Sequence, residues 1–248
     1  TSPNPTVGAV VVTPDGIVVG QGAHTRAGEA HAEVHALAEA GARARQGTLY
    51  CTLEPCAHQG RTPPCAPRVP DAGAARTVIA MQDPNPLVAG RGIELLRGRG
   101  VAVDIGLFDS EARRANAPFV TWITEGRPHV TIKVARSSDG FIGVEGRRVK
   151  VTGAAMDRLM HRQRAEVDAI AVGAGTMLAD DPRLTPRGGY RGRVLSRVLF
   201  GWRLRCSGDR AMYRTLEAGP VILFTTIAAR DAQPRAAPDV VCRRLLVA

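Results

Sequence analysis

The sequence predicts an α/β protein of two successive domains, and three observations carry that reading. Short apolar runs alternate with apolar residues at helical spacing from Val7 to Ile123, the pattern of a sheet with helices layered on it. The Gly/Pro junction Glu125-Gly126-Arg127-Pro128 interrupts the alternation, and a fresh strand-like run follows it. With 248 residues, 44% of them hydrophobic, the chain can bury one large core or two modest ones.

The elements follow in order. Val7 to Val12 is a continuous apolar run that ends at the turn signal Pro14-Asp15-Gly16, and Ile17 to Val19 resumes it, predicting a β-hairpin. Ala32 to Arg45 carries Val34, Leu37, Ala38 and Ala42 at helical spacing, with Gly47 beyond its end. Thr48 to Leu53 reads as a strand. Pro64 and Cys65 open a second helix that Pro70 must shorten or kink, because proline has no N–H to donate. Thr77 to Met81 is a strand, Gly92 to Arg97 a helix and Val101 to Leu107 a strand; Ser110 is expected to cap a helix from Ala112 to Ile123. The domains are therefore expected at 1–126 and 127–248, the second opening with a strand from Val130 to Ala135.

Composition narrows the function classes. No stretch approaches 18 apolar residues, so no membrane span is expected, and nothing at the start resembles a signal peptide. Five cysteines is an odd count; with two of them in a metal pattern, a disulfide framework is not expected and a reducing cytoplasm fits. Cys206 and Cys242 read as ordinary thiols. The net charge of +10 invites a nucleic-acid partner. That reading is set aside: the arginines are spread along the chain, Lys133 and Lys150 are the two lysines, and aromatics for base stacking are 4% of residues. A phosphorylated small molecule gains from the same field.

The residues that carry chemistry are His31-Ala32-Glu33, Glu54-Pro55-Cys56 and Cys65. One imidazole and two thiolates make three ligands for a tetrahedral Zn²⁺ and leave the fourth position to water, the arrangement of a catalytic zinc. Such a zinc brings its bound water to a pKa near about 7. Glu33, two residues from His31, is then a proton shuttle and not a ligand. A structural zinc stays open as an alternative, with Cys51, His35 or His58 as fourth ligand, as do three unrelated core residues. Both metal-binding segments are expected at helix starts, where backbone N–H groups favour anionic ligands.

The pattern H-x-E, then P-C and a second Cys, is that of zinc nucleobase deaminases. Eight residues separate Cys56 from Cys65 where most of that superfamily has two. With T-S-P-N-P-T-V-G-A-V-V-V (1–12), H-x-R-A-G-E-A-H-A-E-V-H-A (24–36), L-E-P-C-A-H-Q-G-R-T-P-P-C (53–65) and M-Q-D-P-N-P-L-V-A-G-R-G (81–92), the chain resembles the RibD family of bifunctional pyrimidine deaminase–reductases of riboflavin biosynthesis. The resemblance runs nearly the whole length. It implies a cytidine-deaminase-like three-layer domain followed by a partial dihydrofolate-reductase-like α/β domain.

The resemblance also implies a chemistry. The substrate would be 2,5-diamino-6-ribosylamino-4(3H)-pyrimidinone 5′-phosphate, deaminated by water at the carbon bearing the 2-amino group. His31, Cys56 and Cys65 would hold Zn²⁺ and Glu33 would move the protons. Asn4 and His24 are candidates for the base, and Arg61 for the phosphate. In the second domain, K-V-A (133–135), D-A-I-A-V-G-A-G-T-M (168–177) and L-A-D-D-P-R-L-T-P-R (178–187) match the family's reductase. Ala135, Lys150, Thr176 and Asp180 would contact NADPH, and Arg164, Leu184 and Arg187 the ribose phosphate, for which arginine's planar fork is suited. The chain departs from the family at Lys150, where an aromatic is usual, and at Gly201-Trp202, where a strand usually ends in Asp. It is expected to be truncated at both ends and to form a homodimer. A deaminase of another base or nucleoside, and a zinc-stabilised module without turnover, are the alternatives.

Overall fold

The computed structural model describes residues 2–144, 147, 149–190, 194–202, 208–226 and 240–244, the last segment as backbone. By its internal contacts the chain divides into Thr1–Thr131 and Ile132–Ala248; the junction expected at 126/127 lies just ahead of that division.

The first unit is a five-stranded sheet in the order β2-β1-β3-β4-β5. Its strands are β1 (Gly8–Val12), β2 (Val18–Ala23), β3 (Thr48–Leu53), β4 (Arg76–Met81) and β5 (Ala102–Ile105). The hairpin β1–β2 is antiparallel with a register shift between Val11 and Val12. Thr13 closes it through its amide and side chain onto Ile17, so the second strand starts at Val18 and not at Ile17. β3, β4 and β5 run parallel. The β4 sequence R-T-V-I-A-M is buried at every position after Arg76, as a strand covered on both faces should be.

Helix α1 (Ala32–Ala40) lies directly on the backbone of β2. Ala32, Ala36 and Ala40 form a small-residue stripe, and β2 answers with glycine. A Cβ on Gly20 would sit 2.1 Å from the Ala36 carbonyl oxygen, and one on Gly22 2.2 Å from that of Ala32. The α-helix ends five residues earlier than its apolar spacing suggests, at Gly41, whose φ of 53° stops it. A 3₁₀ turn, Gly41–Ala44, finishes the segment.

Two connections differ from the sequence-based expectation. The helix expected from Pro64 is α2, four residues long (Arg68–Asp71), so Cys65 stands in the turn ahead of it rather than in its first turn. Three prolines in seven residues, Pro64, Pro67 and Pro70, leave too few N–H donors for an earlier start. After α3 (Arg91–Gly98) and β5, the helix expected from Ala112 to Ile123 is two: α4 (Asp109–Ala115) and α5 (Ala117–Glu125). Ser110 lies inside α4 and bonds Glu111, while Phe108, with φ 60°, takes the cap position. The break falls at Asn116, whose side chain is spent on Thr6: its Oδ1 accepts from the Thr6 N–H at 2.7 Å and its amide donates to the Thr6 carbonyl at 3.0 Å.

The second unit contains α6 (Ala154–Glu166), β6 (Ala169–Gly173), α7 (Ala174–Asp180), β7 (Ser196–Phe200), β8 (Val221–Thr225) and β9 (Val240–Arg244). Its sheet, β6-β7-β8-β9, is parallel throughout. Met177, Leu184, Leu199, Met212, Val221 and Leu223 form its core. The buried Arg197 of β7 ties that core to the following loop, donating to the Met212 carbonyl at 2.9 Å, the Thr215 hydroxyl at 2.8 Å and the Gly219 carbonyl. The strand expected from Val130 to Ala135 is not formed. Val130, Ile132 and Val134 are 68%, 83% and 60% exposed. A strand pattern needs a partner for its N–H and C=O groups, and no described strand pairs with this one. Among the described residues, no helix is long and apolar enough to cross a membrane.

Candidate active site

His31, Cys56 and Cys65 converge from three different segments, and their ligand atoms all lie within 4.8 Å of one another. His31 is the cap residue of α1, with extended backbone (φ −75°, ψ 164°). It turns Nδ1 toward both sulfurs, 3.2 Å from Cys65 Sγ and 3.6 Å from Cys56 Sγ. Cys56 follows the end of β3. Its carbonyl accepts the N–H groups of Cys65 and Ala66, both at 3.0 Å, and its sulfur accepts the Cys65 N–H at 3.4 Å. That small closed loop is what brings two cysteines with eight residues between them into one site.

The electrostatics of the trio fit a dication. Cys56 is pulled down to about 4 by the hydrogen bond from Cys65 and then by His31, while Cys65, the donor to its neighbour, is pushed up. His31 is raised, chiefly by its hydrogen bond with Cys56. The polypeptide alone thus stabilises one negative sulfur; a cation would be needed to hold two. An N, S, S donor set of this softness suits zinc. Of the other proposed ligands, Cys51 is buried in β3 with its sulfur on the Val78 carbonyl at 3.8 Å. His35 and His58 are exposed. Among the described residues the metal-ligating group holds three side chains, His31, Cys56 and Cys65. Cys206 and the Cys242 side chain lie outside the described residues.

Glu33 sits in the first turn of α1, 3% exposed, and its Oε2 has no hydrogen-bond partner. Burial raises its pKa to about 7. Asn4 and His24 come together beside this group: Asn4 Nδ2 is 3.1 Å from His24 Nε2, His24 Nδ1 is 3.2 Å from the Ala30 carbonyl, and the His24 and His31 rings meet edge-on at 5.2 Å. The Asn116–Thr6 bonds hold the irregular segment ahead of β1 that carries Asn4. Arg61 lies on the exposed 57–64 insert.

Sequence reasoning gave no role to four residues around the site, although Glu54 stood in its E-P-C motif. Thr62 Oγ1 is 3.3 Å from His31 Nε2, the nitrogen opposite the sulfurs. Asn116 latches the N-terminal segment. Asp83, its carboxyl raised to about 6 mainly by burial, accepts the Asn85 N–H at 2.8 Å. Glu54, buried next to Pro55-Cys56, accepts four backbone N–H groups. The D-P-N-P turn was visible for Asp83; nothing local marks the partners of Glu54 or Asn116.

In the second unit, Thr176 and Asp180 are exposed on α7, and Ala135 lies in the irregular 130–135 segment, half-buried. A Cβ on Gly173 or Gly175 would meet nothing within 4 Å, so the backbone of the β6–α7 turn is open to a ligand. Lys150 is paired with Asp157 at 2.8 Å. Leu184 is buried in the core with φ 56°, leaving its backbone, not its side chain, as the reachable part. Arg164 of α6 is held below its ordinary pKa by burial and by the Arg187 guanidinium, and its Nε has no partner. His161 is lowered by burial and then by the same two arginines.

Comparison with known proteins places this geometry. Residues 1–81 match the cytidine and deoxycytidylate deaminase zinc-binding region, and residues 128–247 the RibD C-terminal domain. The riboflavin biosynthesis protein RibD of Aquifex aeolicus is 48% identical over 226 residues, 91% of this chain and 63% of the relative. The solved structure of Acinetobacter baumannii RibD superposes with a TM-score of 0.82 at 35% identity, covering 100% of this chain and 69% of that one. The chain belongs to the RibD family. A second RibD-type structure, a Thermotoga maritima diaminohydroxyphosphoribosylaminopyrimidine deaminase/5-amino-6-(5-phosphoribosylamino)uracil reductase, gives a TM-score of 0.81 at 33% identity, over 97% of this chain and 67% of that one. The chain thus spans less than two-thirds of the length of its Aquifex RibD relative. The RibD match carries the fold class expected from the sequence, a deaminase-type domain followed by a reductase-type one.

Proposed function

We propose that the first unit deaminates 2,5-diamino-6-ribosylamino-4(3H)-pyrimidinone 5′-phosphate and that the second carries residues for the following NADPH-dependent reduction of 5-amino-6-(5-phosphoribosylamino)uracil. One observation carries the first half: His31 Nδ1 and the sulfurs of Cys56 and Cys65 lie within 4.8 Å of one another, two residues from the buried Glu33, whose Oε2 has no hydrogen-bond partner.

His31, Cys56 and Cys65 would hold Zn²⁺, which when bound supplies Lewis acidity and makes water a usable nucleophile near neutral pH. Glu33 does the proton work. Burial raises its carboxyl to about 7, so it holds and gives up a proton readily; Oε2 would carry the two protons of the attacking water in turn, the first to the ring nitrogen and the second, from the added hydroxyl, to the amine that leaves as ammonia. Asn4 offers an amide and His24 an imidazole to the edge of the base, and Thr62 fixes the orientation of the His31 ring from its far side. Arg61 is placed on the insert where a phosphate could reach it.

In the second half, burial and then the Arg187 guanidinium make it costly for Arg164 to be charged, a cost that a bound anion relieves. The two arginines and the Leu184 backbone would take the ribose phosphate. Thr176, Asp180, Ala135 and Lys150 would border NADPH, which supplies hydride, beside the open β6–α7 turn. A homodimer, in the reducing cytoplasm and with no nucleic-acid partner, completes the reading.

Mass spectrometry of the diaminopyrimidine ribosyl phosphate incubated with zinc-loaded chain tests both halves. Replacing an amine by oxygen adds about 1 Da, absent with Glu33→Ala. Hydride and proton addition adds about 2 Da more, and only with NADPH. An unchanged substrate mass would defeat the catalytic reading and leave a zinc-stabilised module.

A further inference from the structure

We propose that Glu54 is a positioning residue for the metal ligands, clamping the Pro55-Cys56 turn onto the N-terminal end of α3 before any metal arrives. The proposal rests on the zinc reading of His31, Cys56 and Cys65 and adds how the ligand set is held.

Glu54 is 3% exposed and follows directly on the last residue of β3. Its Oε1 accepts the N–H groups of Gly92 at 2.9 Å and Ile93 at 3.3 Å; its Oε2 accepts those of Gly90 at 3.0 Å and Asp83 at 3.2 Å. Its own N–H donates to the Met81 carbonyl at 3.1 Å. One side chain therefore satisfies the amides at the start of α3, which has no side-chain cap of its own, and the loop leaving β4. Four backbone amides on the two oxygens of one buried carboxylate fix it from both sides, and a bond to a charged acceptor is stronger than one between neutral groups, so the clamp is stiff.

The stiffness is transmitted through backbone. α3 approaches so closely that a Cβ on Gly92 would lie 1.9 Å from the Pro55 carbonyl oxygen and 3.2 Å from Glu54 Oε1. Only glycine fits. Pro55 restricts the link to Cys56, and the Cys56 carbonyl in turn gathers the Cys65 and Ala66 N–H groups at 3.0 Å each. The route from α3 to the two cysteines thus runs through Glu54, Pro55, Cys56 and Cys65, joined by backbone and by backbone hydrogen bonds. A structural glutamate that merely capped α3 would stabilise the fold without affecting how tightly the folded site keeps a metal.

Glu54→Gln keeps the shape but turns half of the clamp into an N–H donor facing N–H donors. The experiment loads the full chain and this variant with zinc and follows metal release to excess chromogenic chelator, with circular dichroism to confirm folding. Release from the folded variant is expected to be about 10–100-fold faster, the usual scale for residues that support metal ligands from behind. Equal release rates would overturn the proposal while leaving the zinc site intact. Should Glu54→Gln not fold, amide exchange on the unsubstituted chain decides. Protection at Asp83, Gly90, Gly92 and Ile93 in the metal-free form supports a clamp built by the polypeptide; protection that appears only with zinc overturns it. A parent chain that takes up no zinc would instead defeat the metal reading itself, and the role of Glu54 with it.

Discussion

Glu33 and Asp83 show how one residue type acquires two meanings. Both carboxyls are raised mainly by burial, Glu33 to about 7 and Asp83 to about 6. Glu33 keeps an unpartnered oxygen beside the ligand trio; Asp83 spends an oxygen on the Asn85 amide of its turn. Glu33→Gln is accordingly expected to lower deaminase turnover about 10²–10⁴-fold with zinc content unchanged, measured by product formation and metal analysis on the same samples. For Asp83 the effect is on stability. Its folded pKa exceeds the ordinary value of 3.8, so its contribution is greatest below that value and is lost as pH rises through about 6. Urea unfolding at several pH values is expected to show Asp83→Asn gaining on the parent chain between about pH 4 and 6, by up to about 3 kcal/mol. The reverse slope would refute the assignment. Glu33 was legible because H-x-E is a local pattern. Asp83 was half legible, its turn visible and its burial not.

At the level of elements, β3 was read to the residue because its alternation is local and both ends are marked by turn residues. α1 was read too long and α2 too early, since apolar spacing does not register where a glycine or a run of prolines stops the N–H ladder. What places His31 is the contact of α1 with β2, glycine on one side and alanine on the other. Gly22→Ala would drive a methyl into the Ala32 carbonyl, 2.2 Å away, next to His31. It is expected to destabilise the first unit by about 1–3 kcal/mol or more and to weaken zinc retention together with folding, by chemical denaturation in the presence and absence of metal. The strand expected from Val130 to Ala135 failed for the complementary reason. Its alternation is real, but a strand is a relation between two segments, and alternation alone supplies one of them.

Across the whole molecule, two units with separate cores carry the residues proposed for the two chemistries, and the chain bears a net charge of +10. Because the candidate ligand trio joins the start of α1, the segment after β3 and the turn before α2, binding of a metal there would be linked to folding of the first unit. Removing zinc with a chelator is expected to lower the melting temperature of Thr1–Thr131 by several degrees and to raise amide exchange in α1 and β3; zinc at about 1,000 times its Kd contributes about 4 kcal/mol. An unchanged melting temperature would mean that the trio does not bind metal in the folded chain.

The sequence by itself determined the α/β class and the family, and singled out His31, Glu33, Cys56 and Cys65 as the candidates for metal and proton, because each rests on short-range order: periodicity, a turn residue, a donor at fixed spacing. Only the tertiary structure decided that Asn4 meets His24, that Asn116 latches Thr6 and that Glu54 gathers the amides of Asp83, Gly90, Gly92 and Ile93. These are bonds between a side chain and a distant backbone, and a backbone N–H looks the same in every residue except proline. Which one a buried carboxylate finds depends on how the elements pack.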